Sequence, residues 1–260
     1  LFFVIVFSRE HHMFGLLGEV SGVVVLHDFF LCGILARMDM LGHNPNVWTQ
    51  ALVHAHGWPA LQARYQTKDS ADVVWAYPCN LEVLQQAQGV IVHSEYSRQL
   101  AREWYGADAA NDWTVIPLLR VPAIKTDHRS ARQKLGLAED DFVVCSFGLL
   151  GPHKISDRLL SAWLASPLAN DPHCRMVFVG QNHGGEYGAD LVRTLGGSPV
   201  ASRIKITGWV DAENYRTWLA AADVGVQLRT LSRGETSAAV LDCVSYGMAT
   251  IVNANGSMAD

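Results

Sequence analysis

Short, unbroken apolar runs limit what this chain can fold into. Gly22-Val-Val-Val-Leu26, Gly89-Val-Ile-Val92, Phe142-Val-Val-Cys-Ser-Phe147 and Asp223-Val-Gly-Val-Gln-Leu228 lack the polar alternation of a half-solvated strand. A strand covered on both faces has no reason to alternate, so these runs read as members of parallel sheets with helices on each side. The stretches between them have helix length and helical apolar spacing. The expected class is α/β, with two Rossmann-like domains facing each other across a cleft, both incomplete.

In chain order, Leu1-Phe-Phe-Val-Ile-Val-Phe7 reads as a core strand: it is too short for a membrane span and lacks the flanks of a signal peptide. A helical segment around His12 to Leu17 leads to the strand ending at Leu26, which delivers His27-Asp28 to a strand terminus, the edge where open α/β sheets bind ligands. Helices are expected over Phe29–Met40, Trp48–Gly57 and Asn80–Gln86, and from a Ser94 cap to about Tyr105, stopped by Gly106. Trp113–Ile116 reads as a strand. Pro117-Leu-Leu-Arg-Val-Pro122 holds two prolines and reads as a linker. The expected division is residues 1–117, a linker over 118–125, and residues 126–260. In the second part strands are expected at Phe142–Phe147, Arg175–Gly180, Ile204–Gly208 and Thr250–Asn253, with helices from Ser156 or Asp157 to Ala165 and from an Asp211 cap to Ala221. The chain reads as a piece cut at both ends.

Composition narrows the function. Of 260 residues 49% are hydrophobic and 17% charged, enough for a sizeable core, and a net charge of -5 gives no reason to expect a nucleic-acid partner. The five cysteines are scattered with no C-x-x-C pair, which suits a reducing, cytoplasmic compartment. No G-x-G-x-x-G follows any of these strands, since Gly180-Gln-Asn-His-Gly-Gly185 has the wrong spacing, and there is no Walker loop. Those absences argue against a hydride-transfer enzyme and a P-loop ATPase. His11-His12 and His54-Ala-His56 lack a helical metal-ligand spacing, so no metal is expected.

The richest stretch is Arg229 to Gly247. A buried strand enters it, Ser232-Arg-Gly-Glu235 turns, and a helix is expected from about Thr236 to Tyr246. A strand, a turn with Arg229 and Arg233, and the amides of a helix N-terminus suit an anion. The arginines fit bidentate phosphate contacts, or ion pairs with Asp223 or Glu235. Lys154, after the glycine-containing loop that starts at Gly148, reads as a phosphate contact or as a solvated surface lysine. Asp242 lies on an otherwise apolar helix, where an acid must be satisfied; vicinal hydroxyls such as a ribose's would do so, and so would neighbouring backbone.

The order of these motifs resembles the GT-B glycosyltransferases of the family 4 type, the retaining "glycosyl transferases group 1" class, from about Val23 to Asn255. Val23-Val-Val-Leu-His27-Asp28 is similar to the strand whose terminal histidine faces the donor sugar. Gly89-Val-Ile-Val-His-Ser94 with Tyr96-Ser-Arg98 looks like the family's strand–serine–helix unit, and Phe147-Gly148 to Lys154 like the first loop of its C-domain. Ile206-Thr-Gly208-Trp209 through Asp223, then Gly234 to Asp242, Tyr246-Gly247 and Thr250-Ile-Val252, look like the approach to its acidic donor motif and the motif itself. The resemblance implies a nucleotide-sugar donor, a glycan or lipid-linked hydroxyl acceptor, and a setting in bacterial polysaccharide or glycan assembly, in the cytoplasm or at the inner face of the membrane with peripheral association. It implies His27, Lys154 and Glu235 as catalytic residues and Gly148, Lys154, Arg229, Arg233, Gly234, Thr236, Ser237 and Asp242 as donor-binding, with Lys154 on the diphosphate and Asp242 on the ribose. No cofactor is implied, because lysine and arginine supply the positive charge.

Three departures stand out. Leu149 occupies the position where the family usually has an arginine, Glu235 stands one residue out of register, and the N-terminal glycine-rich loop has no counterpart. A nucleotide-sugar epimerase of the same architecture would need more acids and bases than His27 and Glu235. A non-catalytic sugar-nucleotide-binding module is the alternative from another class.

Overall fold

The computed structural model describes residues 3–6, 12–124 and 127–259. It divides into two compact units: the first takes the chain up to Leu118 together with Ser232–Thr236, the second takes Leu119–Leu231 and Ser237–Ala259. The domain division read from sequence had kept Ser232–Thr236 with the C-terminal half.

In the first unit β1 (Phe3–Val6), β2 (Val23–Leu26), β3 (Gly89–Val92) and β4 (Thr114–Val115) form a parallel sheet in that order. Leu1, Phe2 and Phe7 of the expected first strand lie outside the described residues, as does His11. The helices are α1 (His12–Glu19), α2 (Cys32–Met40), α3 (Val47–Gln66), α4 (Ser70–Ala76), α5 (Leu81–Gln86) and α6 (Glu95–Tyr105). One apolar core joins them, centred on Val24, Leu26, Phe29, Leu52 and Val92.

Two helices differ from expectation for identifiable reasons. The α2 helix starts at Cys32 rather than Phe29, because the Phe29 amide donates to Arg233 O at 2.9 Å and the Leu31 amide to Pro78 O at 2.8 Å. Gly57 breaks α3 where the expected helix ends, but a second helical stretch follows. It sits at φ 68, ψ -158 just before Pro59, and the helix resumes beyond this break to Gln66. By contrast α6 follows its sequence signals: Ser94 Oγ accepts from the Ser97 amide and Gly106 follows the last turn.

The second unit contains α7 (His128–Leu135), β5 (Phe142–Phe147), α8 (Ser156–Ala165), β6 (Cys174–Val179), α9 (Glu186–Gly196), β7 (Ile204–Ile206), α10 (Ala212–Ala221), β8 (Val224–Gln227), α11 (Ala238–Ser245) and β9 (Ala249–Val252). Its parallel strands run in the order β7-β6-β5-β8-β9. The chain winds outward from β5 one way through β6 to β7, then returns to β8 on the other side and on to β9. That reversal between β5 and β8 is the topological switch point of a doubly wound sheet.

The absence of alternation in β5 now has its cause. Val143, Cys145 and Phe147 enter one apolar cluster with Trp218, Leu219 and Cys243, whereas Val144 enters another with Leu160, Trp163, Met176 and Phe178. Arg132, on α7, is 3% exposed, and its guanidinium donates to the carbonyls of Ala138, Glu139, Asp141 and Ala221 and to Asp223 Oδ2. One side chain thereby ties α7 to the end of α10 and the start of β5. All five cysteines are buried thiols.

Candidate functional site

In the second unit, the loops leaving β5 and β8 emerge side by side at the switch point. After β5 the Gly148 amide donates to Val179 O at 3.0 Å and the Leu150 amide to Gln181 O at 3.0 Å, which lays this loop against the one leaving β6. The approach is so close that a Cβ on Gly180 would stand 1.9 Å from Gly148 O, so only glycine fits there. The loop then makes a 3-10 turn over Pro152–Lys154. The Thr230 amide, from the loop after β8, donates to His153 O at 3.0 Å. Arg229 is held on its other side, its amide donating to Asn253 Oδ1 (2.8 Å) and its carbonyl accepting from Asn253 Nδ2 (2.7 Å). The backbones of Lys154 and Arg229 are thus fixed on neighbouring loops at the carboxyl edge of one sheet.

Helix α11 begins at Ala238 and not at Thr236. Ser237 keeps extended dihedrals and its Oγ faces the Val240 amide as the cap. A residue that caps cannot be the helix's second residue. Asp242, on α11, has a defined partner that the sequence did not suggest: Arg120 Nε and Nη2 donate to its two oxygens at 2.8 Å each, and Tyr215 OH donates to Oδ2 at 3.2 Å. Burial, then the Asp242 charge, raise the Tyr215 phenol well above its usual value. Neither Arg120 nor Tyr215 was among the candidate residues. The only signal was a lone cation, Arg120, amid the apolar residues of the proline-bounded segment. The alternative partner suggested for the arginines, Asp223, is engaged instead by Arg132 and by the Val143 amide at 2.7 Å.

In the first unit, the segment 232–236 lies at the carboxyl end of β2 and the start of α6. Besides the bond from Phe29 N to Arg233 O, Ser97 Oγ donates to Gly234 O at 2.8 Å. Gly234 adopts φ +87, and a Cβ there would meet Phe29 Cβ at 2.6 Å. The Arg233 guanidinium lies 3.7 Å from the centre of the Trp75 ring, a cation–π contact. With Asp28 and Arg37 it lines a cavity of about 280 Å³. Glu235 Oε2 accepts from the Arg233 amide at 2.6 Å, so this carboxylate stabilises its own turn. The Thr236 hydroxyl oxygen is buried and has no hydrogen-bond partner among the described residues.

His27 stands at the end of β2, with Nδ1 3.0 Å from His93 Nε2; His93 Nδ1 lies 2.8 Å from Ile116 O. Burial, followed by the neighbouring His93, lowers the His27 pKa to about 4, so its ring is neutral near pH 7. The other histidines singled out take local roles. His54 Nε2 is 2.9 Å from Gln85 Oε1, and His56 Nε2 accepts from the Cys79 amide at 3.1 Å. Leu149, at the position where the resemblance calls for an arginine, is 52% exposed.

No protein-family model matches the chain. It is 29% identical to D-inositol 3-phosphate glycosyltransferase 2 of Catenulispora acidiphila, an alignment that takes in 76% of this chain and 52% of that protein. The chain therefore spans about half the length of this curated relative. Among solved structures it is similar to Anabaena Alr3699/HepE in complex with UDP and glucose, with a TM-score of 0.64 and 19% identity over 98% of this chain and 60% of that one. It is also similar to sucrose-phosphate synthase from Thermosynechococcus elongatus, with a TM-score of 0.64 and 18% identity over 98% of this chain and 56% of that one. The architecture shared with these structures is the GT-B fold, two Rossmann-like domains.

Proposed function

We propose that this chain, which has the GT-B glycosyltransferase fold and resembles the group 1 class in sequence, binds a nucleotide-diphosphate sugar and passes the sugar, with retention, to a hydroxyl acceptor. The observation that carries this reading is the fixing of Lys154 and Arg229 on two backbone-linked loops at the switch point of the second unit's sheet. Two cations held at that edge suit a diphosphate, and they need no metal to supply the charge.

Each residue then has a chemical task. Lys154 and Arg229 neutralise the diphosphate as it departs, with Arg233 as a further cation in place of the arginine missing at Leu149. Gly148, without a side chain, lets the diphosphate approach the backbone. The amides of Thr236 and Ser237, which lead into α11, with the buried Thr236 hydroxyl, hold the phosphate and sugar. Gly234 sets the turn that positions them. Glu235 contacts sugar hydroxyls, His27 meets another, and Asp242, braced by Arg120, accepts from the ribose. A leaving phosphate oxygen takes the acceptor's proton as the new glycosidic bond forms, so catalysis is positioning and charge stabilisation and no strong side-chain base is needed.

The reading extends to bacterial polysaccharide or glycan assembly on a glycan or lipid-linked acceptor, in the cytoplasm at the membrane's inner face. No helix among the described residues is long and apolar enough to cross a membrane. Trp58 and Tyr65 on α3, each 71% exposed, would serve peripheral association.

Incubation with UDP-, GDP- and ADP-sugars tests the proposal, with NMR of the product's anomeric centre. Transfer with the donor's configuration kept is the expected result, and an inverted product overturns retention. Arg229→Ala and Arg233→Ala should each raise the donor KM sharply, and wild-type kinetics in both would remove the arginines from the site. The exposed Leu149 and the self-bonded Glu235 turn favour a second reading, a non-catalytic sugar-nucleotide-binding module. Such a module would bind the donor and release neither nucleotide nor sugar.

A further inference from the structure

We propose that two joined cavities on the first unit bind an amphiphilic anion, a phosphate ester with its charged head at Arg37 and its hydrocarbon chain along α2 and α4. The first cavity, of about 280 Å³, is the one lined by Asp28, Arg37 and Arg233 just beyond the end of β2. A second, of about 530 Å³, is lined by Ala36 and Met40 on α2, Leu41 at its end, and Ala71 and Val74 on α4. Gly33 and Arg37 belong to both walls, so the two spaces meet on the surface of α2.

The two ends differ in chemistry. Arg37 is exposed, and among the described residues its guanidinium has no hydrogen-bond or ion-pair partner. With Arg233 it sets two guanidinium charges against the one carboxylate of Asp28, which leaves the first cavity positive. Asp39, the acid on α2, pairs with Arg64 at 3.1 Å. A guanidinium offers two parallel N–H donors to two phosphate oxygens, so this end suits a phosphate head. The far end is apolar apart from Ser70, and Met40 and Leu41 stand 78% and 57% exposed, a surface that a hydrocarbon chain would take out of water.

Gly33 keeps the junction open. It is the second residue of α2, where glycine costs helix stability relative to alanine. Its φ is not positive, and a Cβ there would meet nothing nearer than Val74 Cγ1 at 3.4 Å. Neither backbone nor packing demands glycine, yet a longer side chain would occupy the place where the cavities join. Asp28 directly follows His27, so the polar end lies beside the residue assigned above to a sugar hydroxyl. That the bound ester carries the acceptor hydroxyl rests on the function proposed above; the binding itself does not.

Titration calorimetry of the whole chain with n-octyl phosphate below its micelle concentration, beside inorganic phosphate and n-octanol, tests the proposal. Octyl phosphate should bind roughly tenfold or more tightly than either fragment. Affinity should climb by up to about fourfold for each methylene added from butyl to octyl phosphate, the worth of burying one such group. Arg37→Gln should weaken octyl phosphate roughly tenfold, and Gly33→Met, which fills the junction, by a similar factor, both without a lowered thermal transition. Octyl phosphate that binds no tighter than inorganic phosphate would reduce the site to a bare anion contact, and no tighter than octanol to an apolar patch; either overturns the proposal. Binding that both variants leave unchanged overturns it too. Self-association of the wild type that Met40→Asp abolishes would give the apolar cavity to a second copy of this chain and likewise overturn the assignment. If Gly33→Met does not fold, the substitution at the exposed Arg37 decides. Absence of any sugar transfer by the wild type would sink the proposed function and leave the calorimetry standing.

Discussion

Two half-buried histidines make the fold sensitive to mild acid. His27 and His56 both have pKa values lowered from 6.5 to about 4, the first by burial and His93, the second by burial. His56 Nε2 must stay unprotonated to accept from the Cys79 amide. Because the folded pKa lies below the unfolded one, the unfolded chain takes up protons first as pH falls. Stability should therefore be level above about pH 6.5 and decline from there to about pH 4, with no further contribution from these two groups below that. Urea midpoints measured across this range check the sign, and a midpoint that rises on acidification contradicts it. The Arg120–Asp242 pair makes a second prediction at this scale. Asp242→Asn should cost about 2 kcal/mol by removing a charge-assisted, two-pronged bond. Denaturation of the variant measures it, and Arg120→Met in the same background should add little, since the pair acts as one unit. The need of Asp242 for a partner was legible from an acid on an apolar helix. The partner was not, because 122 residues separate Arg120 from it and no local pattern spans that distance.

At the scale of elements, what the sequence disclosed follows the strength of the local signal. The strands were legible because burial on both faces demands unbroken apolar runs, and β3, β5, α6 and α10 have the bounds their residues suggest. The α7 and α9 helices were not foreseen. His128-Arg-Ser-Ala-Arg-Gln-Lys-Leu135 shows no apolar stripe, since what α7 buries is Ala131 and the polar Arg132. That burial yields a prediction. Arg132→Leu removes the guanidinium donor shared by four carbonyls and Asp223, leaving Asp223 only the Val143 amide as a hydrogen-bond donor among the described residues, and should destabilise the second unit by about 3–5 kcal/mol, seen as a large drop in denaturation midpoint. A change under about 1 kcal/mol would mean that water replaces the guanidinium at little cost. The turn over 232–236 is equally demanding. Gly234→Ala combines a left-handed φ with a clash against Phe29 and should cost about 1–3 kcal/mol and weaken donor binding, with wild-type behaviour counting against the turn's role.

For the whole molecule, the GT-B fold was legible from the repeated strand–helix rhythm and from the order of motifs, and the structural likenesses bear it out. What the sequence could not reveal was the wiring of the sites: Thr230 to His153, Asn253 around Arg229, and His27 through His93 to Ile116 are contacts between strand ends far apart in the chain. The central claim is that the switch point of the second unit receives a nucleoside diphosphate. Thermal unfolding with UDP, GDP and ADP, in the wild type and in Lys154→Ala, tests it most directly. One of these nucleotides should raise the wild-type transition in a saturable way, and Lys154→Ala should need roughly ten to a hundred times more of it, the worth of a charge-assisted phosphate contact. A transition that none of the three nucleotides or their sugars moves, or a Lys154→Ala response equal to the wild type's, would contradict the claim.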